Sequence, residues 1–135
     1  MKKVLIVTLL FIISLVGCGK PSCLIGAGST VEENTEFNHY NFTSFRGTYS
    51  FSKQTESTMK LRIVTYTKDD YHMMIEIKKD SEVIKQIESS SNNNQTTYID
   101  LEKGDYTFVL TSQDLYVGEI LFNWNYQEGE WWVNI

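Results

Sequence analysis

Proline occurs once in the 135 residues, at Pro21, so no later segment carries the residue that interrupts strand pairing. Cysteine occurs twice, at Cys18 and Cys23, only five positions apart. That count allows at most one internal disulfide and excludes a disulfide-built scaffold. Histidine also occurs twice, at His39 and His72. Two distant imidazoles and two N-terminal thiols do not make the three or four converging ligands that zinc needs. Basic residues are few, 12 against 17 acidic ones. A chain with that balance lacks the cations needed to displace counterions from a phosphate backbone, which excludes nucleic acid as a partner. Nor does any apolar run reach the roughly 20 residues of a spanning helix.

What apolar run there is lies at the start. Lys2 and Lys3 precede an uncharged, mostly apolar stretch from Val4 to Val16, and small residues then lead into Cys18. This is the layout of a secretion signal, without the A-x-A-like end of ordinary signal peptides. The order Leu15-Val16-Gly17-Cys18 resembles the lipobox of bacterial lipoproteins. The resemblance implies that the Cys18 thiol receives a diacylglyceryl group, that residues 1–17 are removed as signal peptide, and that Cys18 becomes the first mature residue. Two acyl chains anchor a protein stably where one binds only marginally. The expected location is therefore the cell membrane, lipid-anchored and facing away from the cytoplasm. Once Cys18 is a thioether, Cys23 has no partner within the chain. Without Lys2 and Lys3 the balance becomes 10 basic against 17 acidic residues, a formal −7. That charge favours standing off an anionic surface.

Residues 19–36 contain three glycines, the one proline and clusters of Ser, Thr and Asn. Together with the lipidated Cys18 they read as a flexible tether spanning 18–36. A coil of this length reaches about 23 Å root-mean-square. The body of the protein is then 37–135.

From Phe37 onward the apolar residues recur with a period of two, the period of a strand with one buried face. Met59, Leu61, Ile63 and Thr65 alternate with Lys60, Arg62, Val64 and Tyr66. Tyr71, Met73, Ile75 and Ile77 follow after Lys68-Asp69-Asp70, which reads as a hairpin. Tyr106, Phe108 and Leu110 form a further buried face, and Ile120, Phe122, Trp124 and Tyr126 another. Shorter strands fit "NHYNFTSF", "GTYSFS", "SEVIKQIE" and "TTYIDL". In the segment containing "SEVIKQIE" the spacing of Val83, Ile84 and Ile87 also suits a helix capped by Ser81. The short turn Lys79-Asp80-Ser81 favours a strand. About eight short strands without a long helix predict an all-β fold, a single jelly-roll-like β-sandwich. "YIDLEKGDYTFVLTS" followed by "GEILFNW" resembles the C-terminal half of small jelly-roll sandwiches of secreted bacterial proteins, among them carbohydrate-binding and pre-peptidase C-terminal domains. Gly104-Asp105-Tyr106 carries that resemblance, which implies fold and not function.

No nucleophile motif accompanies either histidine, and catalysis by Ser, Thr or Cys needs a base in hydrogen-bond reach. Asp69-Asp70 and the stretch Asp100 to Asp105 read as turn formers, since no D-x-D-x-D-G calcium loop is present. No metal or other cofactor is expected. Spacing alone does not place Glu76 and Glu119 across a cleft as a glycosidase would need. The expectation is a non-catalytic envelope module that binds a carbohydrate or protein, or serves a structural role. The alternative is a small envelope enzyme or an enzyme's accessory subunit. The environment of the histidines separates the two: isolated and exposed in a binding module, beside a carboxylate in a concavity in an enzyme. Aromatic residues make up 13% of the chain, and most fall on the inward face. Trp131, Trp132, Tyr66 and Tyr116 stand outside that pattern and are the candidate ligand patch.

Overall fold

The computed structural model describes residues 29–67, 71–89 and 95–128. Cys18, Cys23, the Lys68-Asp69-Asp70 turn, Trp131 and Trp132 lie outside the described residues. Seven strands make up the described part: β1 (Thr30–Glu33), β2 (Phe37–Thr55), β3 (Met59–Thr67), β4 (Met73–Lys79), β5 (Glu82–Ser89), β6 (Gln95–Leu101) and β7 (Gly104–Asn123). All pairings are antiparallel.

Two strands of about twenty residues organise the sandwich. β2 and β7 pair along their whole length, with the register broken between Phe42 and Phe45 and again between Phe45 and Gly47. Gly47 sits there with φ +112°, a conformation that glycine adopts without penalty. On either side of this break the ladder belongs to a different layer. In the first layer β1, the 37–42 part of β2, the 118–123 part of β7, β3 and β6 lie side by side. In the second, the 47–55 part of β2, the 104–112 part of β7, β4 and β5 do so.

The layers meet through rings that belong to opposite halves of the same strand. Tyr40 packs on Phe51 at 5.4 Å, and Phe108 packs on Phe122 at 5.4 Å. Each long strand thus folds over and buries itself against its own other half. Leu61, Ile63, Met73, Ile75, Ile77, Leu110 and Ile120 fill the remaining core.

Four expectations need correcting. "NHYNFTSF" and "GTYSFS" are one continuous strand, and so are the last two aromatic runs, which leaves six of the eight expected strands; β1 is the seventh. Residues 30–33, read as tether, form β1, so the ordered body includes part of the 18–36 segment. β3 and β4 are not a hairpin. Both pair with β7, but with its 118–123 and 106–111 parts respectively, which places them in different layers with their apolar faces towards each other. Finally, Tyr126 does not continue the face of Phe122 and Trp124. β7 ends at Asn123, and Asn125, with φ +52°, turns the chain over before Tyr126. The segment that also suited a helix is β5, entered through Asp80 and Ser81, both at positive φ as a two-residue hairpin turn requires.

Candidate functional site

The outward face of the first layer carries a set of tyrosines. In β3 the outward Arg62, Val64 and Tyr66 alternate with the inward Leu61, Ile63, Thr65 and Thr67, and Arg62, though on the outward face, is itself buried. β6 pairs with β3 so that Tyr98 lies opposite Arg62, and Tyr98 is 51% exposed. Beyond the turn at Asn125, the amide of Tyr126 donates to the carbonyl of Lys60 at 2.7 Å. This bond seats the Tyr126 ring 5.4 Å from that of Tyr98 and 4.9 Å from the Arg62 guanidinium. Tyr66, 39% exposed, lies further along the same face, opposite Glu119. From Arg62 to Tyr66 is four residues, so Tyr66 and Tyr98 stand roughly 14 Å apart. Beside them the ring of His39 reaches the Glu119 carboxylate at 3.2 Å.

Tyr66 is thus where a ligand could reach it, whereas Tyr116 is not. Tyr116 is fully buried: after the exposed residues 113–115, where the register with β2 shifts, it resumes an inward set that continues through Gly118 to Ile120. Its hydroxyl sits in a closed ring of three, 2.7 Å from Thr67 Oγ1 and 2.9 Å from Ser89 Oγ, which are 2.6 Å from each other. Each oxygen can donate one bond and accept another, so the buried ring satisfies itself. Its role is structural, and Tyr116 leaves the candidate patch. Tyr98 and Tyr126 join it instead. The signal for Tyr98 was the inward parity of Ile99 and Leu101; nothing in the residue pattern announced the reversal at Asn125.

His72 lies elsewhere, in the mouth of an open depression of about 370 Å³ bordered by Met74, Glu88, Thr111, Gln113 and Asp114. Its Nδ1 is 3.2 Å from Glu88 Oε1, but both side chains are more than half exposed. Such a pair is weakly held in water. The nearby Ser112 hydroxyl donates to the carbonyl of His72 at 2.7 Å, which leaves its proton committed to the backbone. Both histidines therefore pair with a carboxylate and are not isolated as expected of a binding module; His72, though exposed, does so in a concavity. Among the described residues no cluster of His, Cys, Asp and Glu could hold a metal ion.

The other buried polar network ties β1 to the core. The Tyr49 hydroxyl donates to Glu33 Oε1 at 3.3 Å, and Asn38 Nδ2 donates to Glu33 Oε2 at 3.4 Å and to the Tyr40 hydroxyl at 3.2 Å. Trp124 Nε1 donates to Asn38 Oδ1 at 3.2 Å. Burial first, and the Glu33 carboxylate second, push the Tyr49 hydroxyl up to about 12 and that of Tyr40 higher still. Burial raises Tyr116 as well.

This sets an alkaline limit. In the unfolded chain these tyrosines ionise near pH 10, while in the fold they hold their protons beyond it. Their contribution is complete below pH 10 and is lost as pH rises towards and through the raised values, by about 1.4 kcal/mol per pH unit for each proton. Lys53, lowered by burial with its ammonium over the Trp124 ring, acts in the opposite direction but only below its unfolded value of 10.5, so it does not offset the loss above that pH. Denaturant unfolding at pH 9, 10, 11 and 12 is expected to show stability falling steeply above pH 10. The fall is expected to be shallower in Tyr49→Phe; a flat profile up to pH 12 would contradict the network.

No family model matches the chain, and neither does any curated protein. Among solved structures it is similar to the pre-peptidase C-terminal domain of a collagenase from Bacillus anthracis, with TM-score 0.48 and 12% identity over 65% of this chain and 86% of that one. It is also similar to a cycloisomaltooligosaccharide glucanotransferase from Paenibacillus sp. in complex with cycloisomaltoheptaose, with TM-score 0.39 and 14% identity over 71% of this chain and 16% of that one. A third is an exo-β-1,3-galactanase from Phanerochaete chrysosporium with β-1,3-galactotriose, with TM-score 0.36 and 13% identity over 72% of this chain and 26% of that one. The first is the kind of domain that the Gly104-Asp105-Tyr106 turn resembles. At these values none of the three bears on what this chain binds, and the sandwich rests on the pairings described above.

Proposed function

We propose that this chain is a lipid-anchored cell-envelope protein whose sandwich binds carbohydrate without transforming it. The observation that carries the reading is the outward tyrosine face of the first layer. Tyr66 and Tyr98 spend their rings on no core, and Tyr126 lies over Arg62 beside Tyr98. Phenol rings present a flat apolar surface with a polar rim, which suits the C–H face and hydroxyl edge of a sugar. Rings about 14 Å apart suit an extended oligosaccharide rather than a single sugar. Trp131 and Trp132, which lie outside the described residues, are tested alongside these tyrosines.

Titrating the full-length protein with oligosaccharides selected on a glycan array tests this. Tyr98→Ala and Tyr66→Ala are each expected to weaken binding about tenfold, the loss of roughly 1.4 kcal/mol. Trp131→Ala and Trp132→Ala address the extension of the patch. A glycan held with unchanged affinity by all four variants would refute the tyrosine face.

One observation favours a second reading as a small envelope enzyme, the His72–Glu88 pair at its depression. It requires turnover of an envelope polymer that His72→Ala abolishes. The first reading requires that His72→Ala leave glycan binding untouched.

A further inference from the structure

A sandwich exposes strand edges, and an exposed edge is a template for another strand unless something blocks it. Among the described residues four edges are open, and three of them carry a block. β1 is only four residues long and contains Glu32 and Glu33. The 47–55 part of β2 turns Lys53 inward, its ammonium 4.9 Å from the Trp124 ring, and a lysine so placed disfavours a further layer of pairing. β5 is broken by the register shift at Ile77/Lys78 and carries Glu82, Lys85 and Glu88. β6 has none of these devices. Its register with β3 is unbroken from Gln95 to Leu101, it has no lysine, arginine or proline, and its one charge is Asp100 near the end. The sequence Gln-Thr-Thr-Tyr-Ile-Asp-Leu is also rich in β-branched and aromatic residues.

We infer that β6 is the dimerisation strand of this protein, pairing antiparallel with β6 of a second copy about a two-fold axis at Tyr98. Pairing that uses all seven residues of β6 sets the axis. A two-fold normal to a sheet passes through a residue that faces its own copy, and the midpoint of β6 is Tyr98. Tyr98 then lies beside its counterpart, Thr97 opposite Ile99, and Thr96 opposite Asp100. No like charges meet, and aromatic, polar and β-branched pairs of this kind stabilise neighbouring strands. The contact is isologous and closes at two copies, so it does not propagate into fibres. Two first layers become one continuous sheet, and their tyrosine faces become one surface. Confinement to a membrane by the proposed anchor raises the effective concentration for such a contact. This inference does not depend on the bound ligand being a carbohydrate.

Site-directed cross-linking of the full-length protein in native membranes tests it, in a Cys23→Ser background. Tyr98→Cys is expected to form a dimer on mild oxidation, whereas Val83→Cys, equally exposed on the β5 edge, is expected to stay monomeric. Tyr98→Lys sets like charges at the axis, and sedimentation in detergent is expected to show dimerisation weakened about tenfold or more. Equal cross-linking from both cysteine variants, or none from Tyr98→Cys, overturns the inference. So does a Tyr98→Cys adduct with a different polypeptide, which assigns the edge to a foreign strand.

Discussion

Replacing Cys18 with alanine is expected to strip the protein of its acyl anchor. The argument is one of magnitudes. Each buried methylene contributes about 0.8 kcal/mol, so two acyl chains outweigh every other membrane contact available to this chain. Among the described residues no helix is long and apolar enough to cross a membrane. The formal −7 of the part after Lys3 offers no electrostatic substitute, since anionic headgroups repel it. Wild-type protein should therefore sediment with membranes in high salt and leave them only with detergent. The variant should be found as uncleaved precursor or as soluble material. Mass spectrometry supplies the decisive reading on the wild type. A mature chain beginning at an acylated Cys18 is expected, and one that retains Met1 and a free Cys18 thiol ends the lipoprotein reading.

The faces of the strands were legible from the residues, and their partners were not. Leu61, Ile63, Met73, Ile75, Phe108 and Phe122 are buried as their alternation predicted, because the pleat alone decides which side a strand residue takes. Pairing is a longer-range matter. β3 and β4 look like a hairpin because both bury odd-numbered residues and only a short polar turn separates them. What separates them in space is the length of β7, which has room to pair with each in a different layer. The same continuity explains Tyr116. A strand read as two pieces leaves it between them, whereas in the one strand it begins the inward set Tyr116, Gly118 and Ile120 after the exposed residues 113–115. The site suffered in the same way. Tyr66 and Tyr98 follow from alternation, but Tyr126 reaches Tyr98 only through a left-handed turn, and His72 meets Glu88 only through the pairing of β4 with β5.

The residue with the least latitude is one that carries no side chain. Gly118 lies where β7 passes between Phe42 of β2 and Thr67 of β3. A Cβ there would stand 2.3 Å from the Tyr66 carbonyl oxygen, 3.1 Å from Thr67 Cα and 3.0 Å from the Tyr116 hydroxyl. Two of these neighbours are backbone, so relief requires β3 itself to move. Such overpacking costs typically 1–3 kcal/mol. Movement of Thr67 also opens the hydroxyl ring it forms with Tyr116 and Ser89, and a buried hydroxyl left short costs a further 1–3 kcal/mol or so. Gly118→Ala is thus expected to lose about 3 kcal/mol, a large share of the 5–15 kcal/mol that holds an ordinary domain together. In a body of this size that corresponds to a fall in Tm of roughly 12–24 °C. Gly47→Ala is the control. Its Cβ would meet nothing within 4 Å, so only the strain of φ +112° is charged against it, and its loss is expected to be the smaller. Thermal unfolding followed by circular dichroism ranks the two. If Gly118→Ala melts with the wild type, β3 and β7 do not approach as closely as described, and the division of β7 between two layers would have to be redrawn.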